Sequence, residues 1–351
     1  MAQKQITPQQ RAALFAQMTR QNMQPISSVA GAENSRVTLN LPQTRLLHRT
    51  RLMVQATLNV KHASATNYVP AEFAPFTLVD NIRFEMNNGF APVTLSGRQL
   101  YLHNMMRENA DVLEVKPNGR GKNVQGLVAS AAGTDNVIRF HLDIPNGLND
   151  RDAIGLILLQ NRETVANIHI TFADRNALVK PGQTGYTLDI KNITVTPLVE
   201  SFSIPQIPEA LPDLSMLKLI QATSYDQAGA GDVVIKLPVS TTYRKLLFLV
   251  EDANGGVDES FIQSDIQLIF NQADTPYSVN PYHLASINHD QYGRPLPKGC
   301  WAFDFTYQGT INYSSGRDYV DTERLTEFWL KFKAAGACKI SVVYEQLSRL
   351  R

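Results

Sequence analysis

Two long stretches in which apolar and polar residues alternate, with a proline-punctuated segment between them, leave this chain few ways to fold. Arg36-Val-Thr-Leu-Asn-Leu41 alternates, and Arg45 to Val60 continues as a run rich in Val, Leu and Thr. A period of two puts one set of side chains on a buried sheet face and the other towards solvent. Further strands are predicted over Phe76–Met86, Val137–Ile144, Ile154–Gln160, Val165–Phe172 and Tyr186–Val195, with turns at Asn88-Gly89, Asn146-Gly147 and Pro181-Gly182. Ser96-Gly97 followed by Arg98–Glu108 is the one clear helix in this stretch. Pro197, Pro205, Pro208 and Pro212 then space a connecting segment. Beyond it the alternation resumes over Asp232–Leu237, Tyr243–Glu251, Phe261–Phe270, Trp301–Tyr307, Leu325–Lys333 and Lys339–Glu345, with Asn271–Gly299 reading as a long loop. Many short strands and few helices argue for two successive β-sandwiches and against an α/β enzyme.

An arm precedes both modules. Thr7-Pro8-Gln9-Gln10 is a helix start, with Thr at the N-cap, Pro in the first turn and Gln three residues after the cap. Arg11 to Arg20 continues in good helix formers until Pro25 and Ser27-Ser28 end the pattern. So short a helix is marginal in water and needs a surface to dock on.

Charge is unevenly spread along the chain. Residues 1–71 carry eight basic residues (Lys4, Arg11, Arg20, Arg36, Arg45, Arg49, Arg51, Lys61) against Glu33 alone, a net of +7 that leaves −6 for the rest of a chain whose total is +1. A basic front on a slightly acidic body implies different partners for the two parts, one of them anionic, or else simply a solvated basic face. Two cysteines, Cys300 and Cys338, are too few for a disulfide framework and fit a reducing compartment. The N-terminus lacks a secretory pattern, and the longest apolar runs, Ile154–Leu159 and Leu246–Val250, fall far short of the roughly 20 residues a spanning helix needs.

No motif carries catalysis. Ser215-Met-Leu-Lys218 fits Ser-x-x-Lys but lacks the partner motifs of that acylation site. Gly229-Ala-Gly231 reads as a turn, not a phosphate loop. His141-x-Asp143 and Asn288-His289-Asp290 hold ligand types without the convergence a metal needs, and His141, between Phe140 and Leu142, is expected to face solvent. Asn192-Ile-Thr194 and Asn312-Tyr-Ser314 match the glycosylation pattern without a secretory context. Trp301 and Trp329 both sit in strand patterns and read as core. No enzyme activity, cofactor or metal site is expected.

Several fragments in sequence order resemble the major capsid proteins of tectiviruses, tailless icosahedral phages with a membrane beneath the shell. They are Met1-Ala-Gln with Thr7-Pro8-x-Gln10, Ser96-Gly97-x-x-Leu100-x-x-x-Asn104, Asp150-Arg-Asp-Ala-Ile-Gly155, and Leu211-Pro212-x-Leu214-Ser215. Tyr243-Arg244-x-Leu246 leading to Asn254-Gly255-Gly256, Pro297-Lys298-Gly299, and Tyr344-Glu345 with Ser348-Arg349 complete the series. The compact loops resemble the branch infecting Gram-positive hosts.

The resemblance implies an all-β fold of two tandem jelly-roll β-sandwiches with a short N-terminal helical arm. The expected division is an arm over 1–34, a first jelly roll over 35–200, a proline-rich linker over 201–213, and a second jelly roll with a short tail over 214–351. It further implies a major capsid protein whose homotrimers, with six jelly rolls and a pseudo-hexagonal outline, tile capsid facets over an internal lipid membrane. Implied partners are neighbouring trimers, vertex and minor capsid proteins, and membrane lipid reached by the arm, with no direct nucleic-acid contact and with synthesis in the host cytoplasm. Lys4, Arg11, Phe15, Met18 and Arg20 are the expected inner-face or membrane contacts, each basic residue adding on the order of 1 kcal/mol at an anionic surface. Deleting residues 1–25 is expected to leave the trimer folded but to impair shell assembly or liposome binding. The competing reading is a carbohydrate-binding or adhesive jelly-roll protein.

Overall fold

A computed structural model describes residues 7–64, 70–108, 128–148, 153–160, 164–180, 184–306 and 319–349. The chain divides into two compact units, Met1–Asn104 with Asp111–Leu217 and Leu350–Arg351, and Met105–Ala110 with Lys218–Arg349.

Unit one contains α1 (Pro8–Met18), β1 (Gln21–Pro25), β2 (Val29–Gly31), β3 (Arg36–Asn40), β4 (Leu46–His62), β5 (Val79–Met86), β6 (Phe90–Leu95), α2 (Gly97–Met105), β7 (Thr134–Pro145), β8 (Ile157–Leu158), β9 (Ala166–Phe172) and β10 (Tyr186–Phe202). The last residue of α2 already belongs to unit two. In one sheet β4 and β10 pair along their lengths, β7 and β8 line the far edge of β4, and β1 and β2 lie end to end along β10. The other sheet runs β6-β5-β9-β3. Leu52, Val54, Ala56, Leu58 and Val60 alternate inward from β4 and, with Phe140, Phe84 and Ile168, are fully buried.

Asparagine amides bond backbone at both ends of β7. Asn136 exchanges hydrogen bonds with the Val128 backbone, and Asn104 does the same with Asp143. The Asn104 amide occupies the N–H and carbonyl of Asp143, so that end of the strand is closed to pairing with another chain.

Unit two contains β11 (Met216–Gln227, its first two residues still in unit one), β12 (Gly231–Leu237), β13 (Thr242–Asp252), β14 (Gly255–Gly256), β15 (Ile266–Phe270), β16 (Asp274–Val279), α3 (Pro281–Tyr292), β17 (Cys300–Asp304), β18 (Val320–Asp321), β19 (Phe328–Ala334) and β20 (Cys338–Arg349). One sheet runs β12-β19-β15-β16. In the other, β11, β20 and β13 pair in order, and β14, β17 and β18 follow one another along the outer edge of β13. Phe248, Trp301, Leu330 and Val342 lie at the centre of its core.

Several expectations change. The arm is one helix followed by two short strands, because Gln21–Pro25 and Val29–Gly31 find an open edge on β10. The segment Pro197–Phe202 is strand and not linker. Its Pro197 sits where β1 gives way to β2, so the missing N–H falls at a gap in the ladder. The loop Asn271–Gly299 contains both β16 and α3. Asn280 caps α3, Pro281 opens it, and Gly293 closes it at φ 64°. The strand over Ile154–Gln160 shrinks to Ile157–Leu158, and β1, β2, β6 and β11 were not foreseen. Trp301 is core, donating to the Pro281 carbonyl at 3.1 Å. Trp329 is not: it lies between the buried Phe328 and Leu330 on the opposite face of the strand, partly buried, with Lys236 5.7 Å above its ring.

Candidate functional site

The arm is built as its sequence dictates. The Thr7 hydroxyl accepts from Gln10 N at 3.2 Å and the Gln10 side chain accepts from Thr7 N at 3.0 Å, a reciprocal cap. Thr19 closes the helix, its N–H and hydroxyl both donating to the Phe15 carbonyl. Phe15 is buried in a seat formed by Leu46 and Leu156 and flanked by Ala153, Leu158, Phe202, Ile204 and Leu214. Its ring meets Phe202 edge-on at 5.5 Å. Arg20 N then donates to Ser203 Oγ, and Ser203 N donates back to the Arg20 carbonyl, both at 2.9 Å. From there β1 pairs with β10 from Gln21↔Phe202 to Pro25↔Leu198.

Of the five expected contact residues, Lys4 lies outside the described residues. Arg11, Met18 and Arg20 are exposed. Phe15 is not available as a surface anchor, because the seat on unit one consumes it. Arg11, Phe15 and Met18 share one stripe of the helix at i, i+4 and i+7. The opposite, solvent-facing side therefore holds Gln9, Ala13, Ala16 and Gln17, a neutral surface.

The basic surplus of the front end is partly internal. Glu200, fully buried, accepts from Arg49 at 2.9 and 2.7 Å and from Arg51 at 2.6 Å. Asp143 stands 3.8 and 3.7 Å from the same two guanidiniums. Unit two has its own ionic core. Glu345 lies 3.4 Å from Arg244, 3.7 Å from Arg107 and 3.9 Å from Lys218. Lys245 pairs with Asp304 at 2.7 Å and donates to the Met106 carbonyl at 3.1 Å, while Arg294 donates to the Met105 carbonyl at 2.9 Å. Burial, with the Arg107 guanidinium nearby, holds the Lys218 ammonium well below the ordinary lysine range.

The fragments that carried the family resemblance have structural tasks. Ser96 and Gln99 cap α2 reciprocally. Gly97 must lack a side chain, since a Cβ would stand 2.5 Å from the Phe76 carbonyl oxygen. Asn104 holds the β7 edge. The two glycine fragments of unit two interlock: a Cβ on Gly256 would strike the Lys298 carbonyl, and one on Gly299, at φ 80°, would strike the Val250 carbonyl.

The discounted motifs have ordinary roles. Ser215 Oγ donates to Asp213 at 2.6 Å, while Lys218 sits in the ionic core of unit two. His141 is exposed on β7, and Asn288 exchanges hydrogen bonds with the Ala302 backbone at 2.8 Å each. Asn312 lies outside the described residues. Among the described residues no group of three His, Cys, Asp or Glu is placed to hold a metal, and no helix is long and apolar enough to cross a membrane.

The fold these strands make is the double jelly roll, the fold that solved viral major capsid proteins also show. No family model and no curated protein matches the chain by sequence. Solved structures match along nearly its whole length. The STIV MCP, from Sulfolobus turreted icosahedral virus, superimposes with a TM-score of 0.70 at 11% identity, covering 94% of this chain and 97% of its own. The capsid of PBCV-1 gives 0.63 at 10% identity with 94% of both chains covered. The major capsid protein P2 of bacteriophage PM2 gives 0.55 at 14% identity, covering 95% and 98%. At such identities the likeness is one of fold, and it gives no support to the narrower branch infecting Gram-positive hosts.

Proposed function

We propose that this chain is the major capsid protein of an icosahedral virion. The observation that carries the reading is the double jelly roll itself, matched to capsid subunits over 94% of this chain and 97% of the STIV protein. Three copies bring six jelly rolls together as a pseudo-hexagonal homotrimer, and trimers tile facets through many modest contacts that add up in a closed shell. Vertex and minor capsid proteins are the further partners, and an internal membrane lies beneath. Lys4, Arg11, Met18 and Arg20 are the proposed inner-face contacts, and the protein's role is structural, not enzymatic.

Negative-stain electron microscopy of the purified protein tests the reading. Compact hexagon-edged trimers are expected, whereas monomers or separated lobes at every concentration would overturn it. The carbohydrate-binding reading has one observation in its favour, the partly buried Trp329 beside Lys236. Quenching of tryptophan fluorescence by a glycan panel, lost in Trp329→Ala, would support it.

A further inference from the structure

We infer that residues 7–25 form an exchangeable clip, and that the seat on unit one accepts the same segment from a second copy of the chain. The inference rests on the self-association proposed above. It starts from how the clip is held. Among its described side chains Phe15 alone is deeply buried. The β1 side chains are exposed or, for Asn22, half-buried, so β1 is held through its main chain. Main-chain pairing and a single aromatic anchor do not distinguish the chain's own arm from an identical one, so every contact made in cis is available in trans.

The fastening also changes abruptly along the chain. The root of the arm is clamped, because Arg175 grips Glu33 with two hydrogen bonds of 3.0 and 2.6 Å, and the Ser35 side chain closes the turn onto Ala32. Between that root and the clip, Ile26–Ser28 is tied by the bond from Ile26 N to the Pro197 carbonyl and by the contact of Ser28 with Thr196. The fixed part and the clip therefore meet at a short, lightly held segment. Ile26 lies eleven positions beyond Phe15, a reach of up to about 36 Å when extended.

An empty seat is costly. It exposes Leu46, Leu156 and Phe202 together with the open edge of β10 at Leu198–Phe202. A released arm thus calls for a replacement, and a neighbouring copy is the source that matches it residue for residue. A free chain keeps its own arm because the tether gives a high effective concentration. In an assembly that advantage shrinks, since neighbours are held close as well.

The test uses the direct register of Asn22 with Ser201. Opposed antiparallel residues lie within the Cα separation a disulfide spans. Full-length Asn22→Cys and Ser201→Cys chains carrying different tags are mixed, dissociated, reassembled and oxidised, with the double variant alongside. The native Cys300 and Cys338 are buried in unit two and serve as background in unsubstituted chains. Exchange predicts a covalent dimer carrying both tags, lost when Phe15→Ala is added to the Asn22→Cys chain. Multimers in which only the double variant cross-links, within one chain, overturn the exchange and leave the self-association standing. A chain that stays monomeric fails both, and absence of any disulfide removes the β1–β10 pairing on which the clip depends.

Discussion

Replacing Phe15 by alanine should unfasten the arm while leaving the rest of unit one folded, and native-state proteolysis reads that directly. Nearly full burial of a phenylalanine contributes about 1.5–3 kcal/mol. The edge-on pair with Phe202 at 5.5 Å adds roughly 0.5–1.5 kcal/mol. Alanine retains part of this, so detachment becomes easier by about 2–3 kcal/mol, or roughly 30- to 150-fold in the population of the open form. The peptide bond after Arg20 is a sensitive reporter. In the docked arm the Arg20 carbonyl and the Arg20 N–H, on either side of its Cα, are both bonded to Ser203, and trypsin needs that backbone free. Where opening is fast relative to cleavage, the cleavage rate follows the open population. Cleavage after Arg20 should therefore rise by the same factor in Phe15→Ala and much less in Phe15→Leu. A change below about 3-fold would refute the anchoring argument. So would an equal rise at sites throughout unit one, which would mean that the whole unit and not the arm had loosened.

Four further outcomes are expected. Deleting residues 1–25 should destabilise unit one and lower its thermal midpoint, whereas deleting residues 1–6 should not, because only the longer cut removes Phe15 and β1. Asn104→Ala should cost about 2–4 kcal/mol in urea unfolding, since it strips both hydrogen bonds from the buried Asp143 backbone. Gly299→Ala should cost about 2–4 kcal/mol, because it combines a φ of 80° with a clash against the Val250 carbonyl, and unchanged stability would refute the interlock. Lys218→Met should be neutral or stabilising by about 1–3 kcal/mol at pH 7, Glu345 keeping Arg107 and Arg244 as neighbours. The folded chain binds fewer protons at Lys218 than the unfolded one, so the native site gains stability as pH rises towards about 10.4 and loses it as pH falls through the depressed folded value. The advantage of methionine should accordingly shrink as the solution becomes alkaline.

The long strands were legible because their neighbours supply what a period of two requires, as Leu52 to Val60 do along β4. What was hidden has physical causes. The buried side of α3 includes Asn288, whose amide bonds the Ala302 backbone, so a polar residue stands where the helical period calls for an apolar one. Its Asn280-Pro281 start and Gly293 stop were nevertheless signals in the sequence. The strand β11 was obscured by Lys218, a cation in the core. Neither ionic core was readable, since Arg49 and Glu200 stand 151 residues apart and nothing local marks them as partners. For the same reason the count of +7 overstated the free charge of residues 1–71: Arg49 and Arg51 are already engaged inside. In the arm, the helix start was plain, but Phe15's destination was not, because its seat is assembled from residues near 46, 156 and 202.

The carbonyls of Met105 and Met106 and the guanidinium of Arg107 give the second jelly roll a heritage problem. Its parts are encoded in two places, with more than a hundred codons between Ala110 and Lys218. A recombination event that copied only the continuous stretch from Lys218 onward would deliver a gene product without the backbone that Lys245 and Arg294 hold and without one of the cations beside Glu345. The prolines before Lys218 therefore mark a cut that leaves part of the second module behind.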